Sequence, residues 1–125
     1  MKEVKINHAE MFGPVRESVG KLALLLDNPD ARPLDFFEAR KDFLAKFVEE
    51  KFRKYYSNLG SSLVMLGEPS TTALMGAISR GVHALATAIS SERVNSEEVL
   101  YGTSSIYSSL ASLQMNAELY EGKGL

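Results

Sequence analysis

The sequence predicts an all-α fold, a compact bundle of four or five helices in a single domain spanning 1–125. Three observations carry this. Apolar residues recur every three or four positions along four long stretches. Cap-forming residues, prolines and glycines fall between those stretches. Strand-period alternation is weak and confined to the start, so 1–6 reads as a loose tail or a short strand.

The first helix is prefaced by Asn7-His8-Ala9-Glu10, a capping-box pattern in which each side chain satisfies an orphan backbone N–H. Gly13-Pro14 is read as an interruption, with Pro14 in the first turn of the helix that follows. Val15, Val19, Leu22 and Leu26 then form an apolar face, closed by the turn cluster Asp27-Asn28-Pro29-Asp30. The second helix is expected from an Asp35 cap, with Pro33 just outside. Its wide apolar band runs from Phe36 through Phe43, Phe47, Phe52 and Tyr56 to Leu59. The band extends through Leu63 and Leu66, with Gly60 as a bend, and Gly67-Glu68-Pro69 stops it. Three i,i+4 pairs with the acid first support its charged side: Asp42–Lys46, Glu49–Arg53 and Glu50–Lys54.

Ser70 is placed as the cap of a third helix over about 71–90. One face holds Leu74, Ile78, Val82, Leu85 and Ile89. A second holds Ala73, Gly76, Ala77, Gly81, Ala84 and Ala88. Two packing faces predict a central helix, with close backbone approach offsetting roughly 1 kcal/mol per interior glycine. A further capping box, Asn95 with Glu98, opens the fourth helix. Val99, Thr103, Ile106, Leu110, Leu113, Ala117 and Tyr120 make a heptad seam along it. The end, 122–125, is read as frayed.

Composition narrows the function classes. With 45% apolar and 24% charged residues the chain matches neither a disordered segment nor a membrane span. No cysteine is present, which excludes disulfides, thiolate catalysis and Cys-ligated zinc, and a cytoplasmic location is expected. The net charge of −2 supplies no global attraction for nucleic acid. His8 and His83 have no second ligand at zinc-site spacing, and no phosphate-binding glycine loop or nucleophile elbow occurs. No metal, cofactor or catalytic set is expected, and the chain reads as a non-enzyme.

Three features could carry function. His83 lies on the only polar stripe of the third helix, with Arg80 and Thr87. Residues 82–88 resemble the phosphohistidine segment of histidine phosphotransfer domains, which implies a phosphoacceptor at His83. The match covers His83 and Leu85, while that pattern's Lys and Gly positions hold Ala86 and Thr87. The second feature is a basic surface of Arg40, Lys41, Lys46, Lys51, Arg53 and Lys54, joined by Arg80 and Arg93. Such clusters bind phosphate backbones, although acids are interleaved with these. In size and architecture the chain is similar to small helical subunits of RNA-guided effector complexes, on shape alone. The third feature is the uncharged fourth helix, where Gly102, Ser105, Ser109, Ser112 and Asn116 form a flat face beside the seam. A solvated helix of this length normally carries Lys or Glu. The resulting expectation is a protein-interaction subunit that self-associates or docks into a larger complex through that flat face, with nucleic acid as the alternative partner and no membrane contact.

Overall fold

Five helices follow one another in the computed structural model, which describes residues 5–125: α1 (His8–Leu24), α2 (Pro33–Phe47), α3 (Glu50–Met65), α4 (Thr71–Ala88) and α5 (Ser96–Tyr120). A short 3-10 turn, Leu25–Asp27, extends α1. Among the described residues the only β-type pairing is one isolated bridge, Ile89 with Val94. Most of the expected tail or strand lies outside the described residues; Lys5 and Ile6 are exposed and non-helical.

The Asn7 cap acts as expected, its side-chain oxygen accepting the Glu10 N–H at 3.1 Å. It starts α1 at His8, so Gly13-Pro14 does not interrupt, and Pro14 sits inside the helix. An interior proline costs about 3 kcal/mol. Fully burying an aromatic such as Phe12 returns about 1.5–3 kcal/mol, and His8 is buried beside it. The seam therefore begins at His8 and runs through Phe12, Val15, Val19 and Leu22, all buried.

The second predicted helix is two. Pro33 is the first residue of α2, and the Asp35 carboxylate reaches back to the Arg32 N–H at 2.8 Å, so Asp35 lies one turn inside rather than at the cap. The chain breaks at Val48 and Glu49. The Glu49 carboxylate accepts the N–H groups of Lys51 and Phe52 at 3.0 and 3.2 Å and caps α3. In one straight helix Phe47 and Tyr56 would be about 13.5 Å apart along the axis. Their ring centroids lie 5.5 Å apart, and Phe47 also meets Phe52 at 6.0 Å. The aromatic band is a hinge folded on itself, which is why its periodicity reads as continuous. Gly60 is not a bend: α3 continues through it, and an added Cβ would meet Met75 Sδ at 2.6 Å.

Gly67 takes the left-handed conformation (φ 81°) expected where α3 ends. Ser70 makes no side-chain cap for α4. Glu68 does this work, accepting the Ser70 N–H at 3.0 Å, the Ser70 hydroxyl at 2.6 Å and the Thr71 hydroxyl.

Helices α4 and α5 form the inner pair, with α1 covering the other side of α5. Where α4 and α5 cross, glycine faces glycine. A Cβ on Gly81 would lie 2.7 Å from Ile106 Cγ1 and 3.0 Å from the Gly102 carbonyl oxygen. One on Gly102 would lie 2.9 Å from Leu85 Cγ and 3.0 Å from the Gly81 oxygen. The small-residue face is thus used at Gly81, Ala84 and Ala88, which are buried, while Ala73 is exposed and Gly76 only half-buried. At the carboxy-terminal end, read above as frayed, the chain closes in a turn. The N–H groups of Lys123 and Leu125 donate to the Tyr120 carbonyl at 2.9 and 3.3 Å, and Leu125 packs on the core.

Candidate functional site

Helix α5 starts at Asn95, whose side chain accepts the Glu98 N–H at 3.2 Å. Its predicted seam is buried at Val99, Thr103, Ile106, Leu110, Leu113 and Ala117 and half-buried at Tyr120. The flat face expected to meet a partner is not free. Gly102 is closed by Gly81 and Leu85, and Ser109 is 5% exposed. Ser105, Ser112 and Asn116 are half-buried, and Asn116 donates to the Ser70 hydroxyl oxygen at 3.0 Å. The protein's own α4 takes this face, because Gly81 lets the two backbones touch at Gly102.

A third side of α5 faces solvent. Residues 99–117 carry no charge, and on this side Leu100 is 57% exposed, Tyr101 52% and Met115 58%, with Tyr107 and Leu119 also exposed. Leu100, Ser104, Ala111 and Met115 follow at spacings of 4, 7 and 4, which is one line along a helix. Tyr107 marks the α1 edge of this surface: the Arg16 guanidinium lies over its ring at 5.1 Å and donates to the Gln114 side-chain oxygen at 2.9 Å.

The basic residues are distributed differently from the sequence reading. Arg40 belongs to the fold. Its Nη1 donates to the carbonyls of Leu85, Ala86 and Ile89 at 2.9, 3.2 and 2.6 Å, at the end of α4. Lys46 pairs with Asp42 at 2.8 Å and Lys54 with Glu50 at 3.1 Å. The expected Glu49–Arg53 pair is absent because Glu49 caps α3. Lys41, Lys51, Arg53, Arg80 and Arg93 are exposed, spread over α2, α3, α4 and the α4–α5 loop.

His83 is exposed on α4, as is Arg80. The Thr87 hydroxyl of the same stripe donates to the Ala84 carbonyl at 3.1 Å and so turns back to its own helix. Among the described residues no three His, Asp or Glu side chains converge as a metal-binding group, and no helix is long and apolar enough to cross a membrane.

Two polar clusters escaped sequence reading. His8, 6% exposed, bonds through Nδ1 to the Tyr55 hydroxyl at 2.5 Å, and its Nε2 lies 4.0 Å from Glu121. The available signal was the four–three spacing that continues the α1 seam back to His8. The second cluster is Glu68 with Ser70, Thr71 and Asn116. Burial opposes ionisation of Glu68, but the hydrogen bonds from Ser70 and Thr71 outweigh it and hold the carboxyl below its ordinary range. A depressed carboxyl contributes stability above its unfolded-state pKa and loses it as pH falls through the folded value. Glu68→Gln is expected to lower stability by about 1 kcal/mol at neutral pH. Urea melts across the acid range should show wild type and variant converging at low pH. A constant gap would exclude the charge as the cause.

No protein-family model matches the chain, and neither a curated protein nor a solved structure shows significant similarity to it.

Proposed function

We propose that the protein is a non-enzymatic helical interaction module that assembles through the outward side of α5, by self-association or by docking into a larger complex. One observation supports this above the rest: α5 keeps large apolar side chains in water at Leu100, Tyr101, Tyr107 and Met115 while carrying no charge over 99–117. Exposed apolar patches of this kind, with interspersed small polar residues, mark association surfaces. The interface therefore comprises Leu100, Ser104, Tyr107, Ala111 and Met115, in place of the flat face through Ser109.

The direct test is native mass. The double variant Leu100→Arg/Met115→Arg alters exposed positions, so its folding stability should stay within about 0.5 kcal/mol per site. Wild type is expected to exceed the 13.8 kDa monomer mass in sedimentation, and the variant to run as a folded monomer. Equal masses for the two would remove self-association through this side.

The nucleic-acid reading retains one favourable observation: with Glu49 committed to the α3 cap, Arg53 has no acid within 4.0 Å among the described residues. Added oligonucleotide in the same runs tests it, since a mass shift abolished by salt is its signature.

A further inference from the structure

A second surface feature lies away from the outer side of α5. A cleft of about 380 Å³ opens between α1, α3 and the carboxy-terminal turn. Its volume falls in the range of small-molecule sites, and its makeup fits one: mostly apolar walls with few polar groups. Ile6, Met11, Leu59 and Leu125 form the walls, and Lys51 and Ser62 are among its polar members.

The inner end is rigid. The Tyr55 ring is held edge-on by Phe12 at 5.6 Å and tied to His8 at 2.5 Å. Burial, reinforced by the charges of Glu118 and Glu121, pushes the Tyr55 phenol up, and its hydroxyl shares one hydrogen bond with His8 Nδ1. His8 Nε2 lies 4.0 Å from Glu121. The buried His8 and the half-buried Tyr55 thus have partners within the protein. The inner end asks for no donor or acceptor from a ligand and offers ring surface.

The cationic member of the lining is Lys51, which is exposed. Lys51 has no carboxylate within 4.0 Å among the described residues. Of its neighbours in sequence, Glu50 pairs with Lys54, while Glu49 caps α3 and feels the Lys51 charge without touching the ammonium. Glu118 and Glu121 line the adjoining cleft on the far side of His8, not this one. An apolar trough bordered by an exposed lysine that no carboxylate touches complements a molecule with an apolar body and a single negative head.

We propose that this cleft binds a small amphipathic monocarboxylate, its apolar body against Met11, Leu59 and Tyr55 and its carboxylate at the Lys51 ammonium. Decanoate, kept below its micelle threshold, is a suitable probe for the full chain. Followed by NMR, it is expected to shift the Met11 and Leu59 methyl signals saturably with one-to-one stoichiometry. Lys51→Glu should weaken binding about tenfold, the scale of one charge-assisted contact. Lys21→Glu, an exposed charge change on α1 outside the cleft, should leave it unchanged. Decanol, with the same body and no charge, should bind wild type about tenfold more weakly than decanoate. Shifts that do not saturate, or that map elsewhere, overturn the site. Equal affinities for decanoate and decanol, or equal effects of the two lysine variants, overturn the carboxylate assignment. Urea midpoints of each variant establish that both remain folded.

Discussion

Gly81→Leu is expected to destabilise the fold by about 3 kcal/mol or more, at or beyond the upper end of ordinary overpacking. The reason is what the new side chain would meet. At most core positions an added methyl group presses on the end of a side chain, which can rotate away. At Gly81 the first carbon already lies 2.7 Å from Ile106 and 3.0 Å from the backbone oxygen of Gly102. Ile106 is fully buried, and the oxygen belongs to the α5 ladder. Relief requires α4 and α5 to separate, which would open the largest helix–helix contact in the bundle. Gly102→Leu should cost a similar amount, through Leu85 and the Gly81 oxygen. The double variant should cost less than the sum, because the two share one crossing and the first separation makes room for both. Gly76→Ala is the contrast. Its Cβ would meet only the mobile end of Arg80 at 3.3 Å, so the gain in helix propensity, up to about 1 kcal/mol, should remain largely intact. Urea melts of the four variants beside wild type decide the matter. A Gly81→Leu midpoint equal to wild type would mean that the helices do not touch here.

The all-α class and the inner pair follow from signals local in sequence. Asn7 and Asn95 cap where their spacing to Glu10 and Glu98 indicates, and Gly67 ends α3 as a left-handed residue should. What periodicity misses is a change of direction that preserves the apolar pattern. Phe47, Phe52 and Tyr56 read as one stripe whether the helix is straight or folded back at Val48, because the same rings are buried either way. Pro14 misleads in the opposite sense: a local breaker is overruled by the burial of His8 and Phe12. The absence of charge in α5 marks it as a contact helix. A helix with three sides, however, does not announce which two its own chain will cover. The seam and the flat face both went inward, leaving the line through Leu100 and Met115 outside. His8 with Tyr55, Arg40 with the end of α4, and Asn116 with Ser70 each join residues more than 40 positions apart, and no local pattern encodes them.

Arg40→Ala is expected to cost about 2–4 kcal/mol and to loosen the last turn of α4 first. A helix end leaves carbonyls without intrahelical partners and carries partial negative charge. The last turn of α4 holds no basic residue to compensate. Arg40 reaches across from α2 and supplies one donor group to three of these oxygens, at 2.6–3.2 Å, with its guanidinium 5.1 Å above the Phe37 ring. Partial burial lowers its pKa from the ordinary value, yet a guanidinium remains charged across the working range. Hydrogen bonds to a charged group are worth about 1.5–3 kcal/mol each when water is excluded. Ala86 lies on an exposed part of α4, so water replaces some of that contribution and the total stays well below the sum of three. Arg40→Lys should recover about half of the loss: the charge still meets the helix end, but the planar contact with Phe37 and the fixed fork are gone. Amide exchange separates the two parts of the claim. In Arg40→Ala the N–H groups of Ala86 to Ile89 should exchange faster, while those of α1 should change only by the global loss of stability. The same variant also bears on the basic-surface reading. If Arg40 contacted nucleic acid, its removal would weaken oligonucleotide binding and leave the urea midpoint in place. A midpoint that falls with no loss of binding assigns Arg40 to the fold.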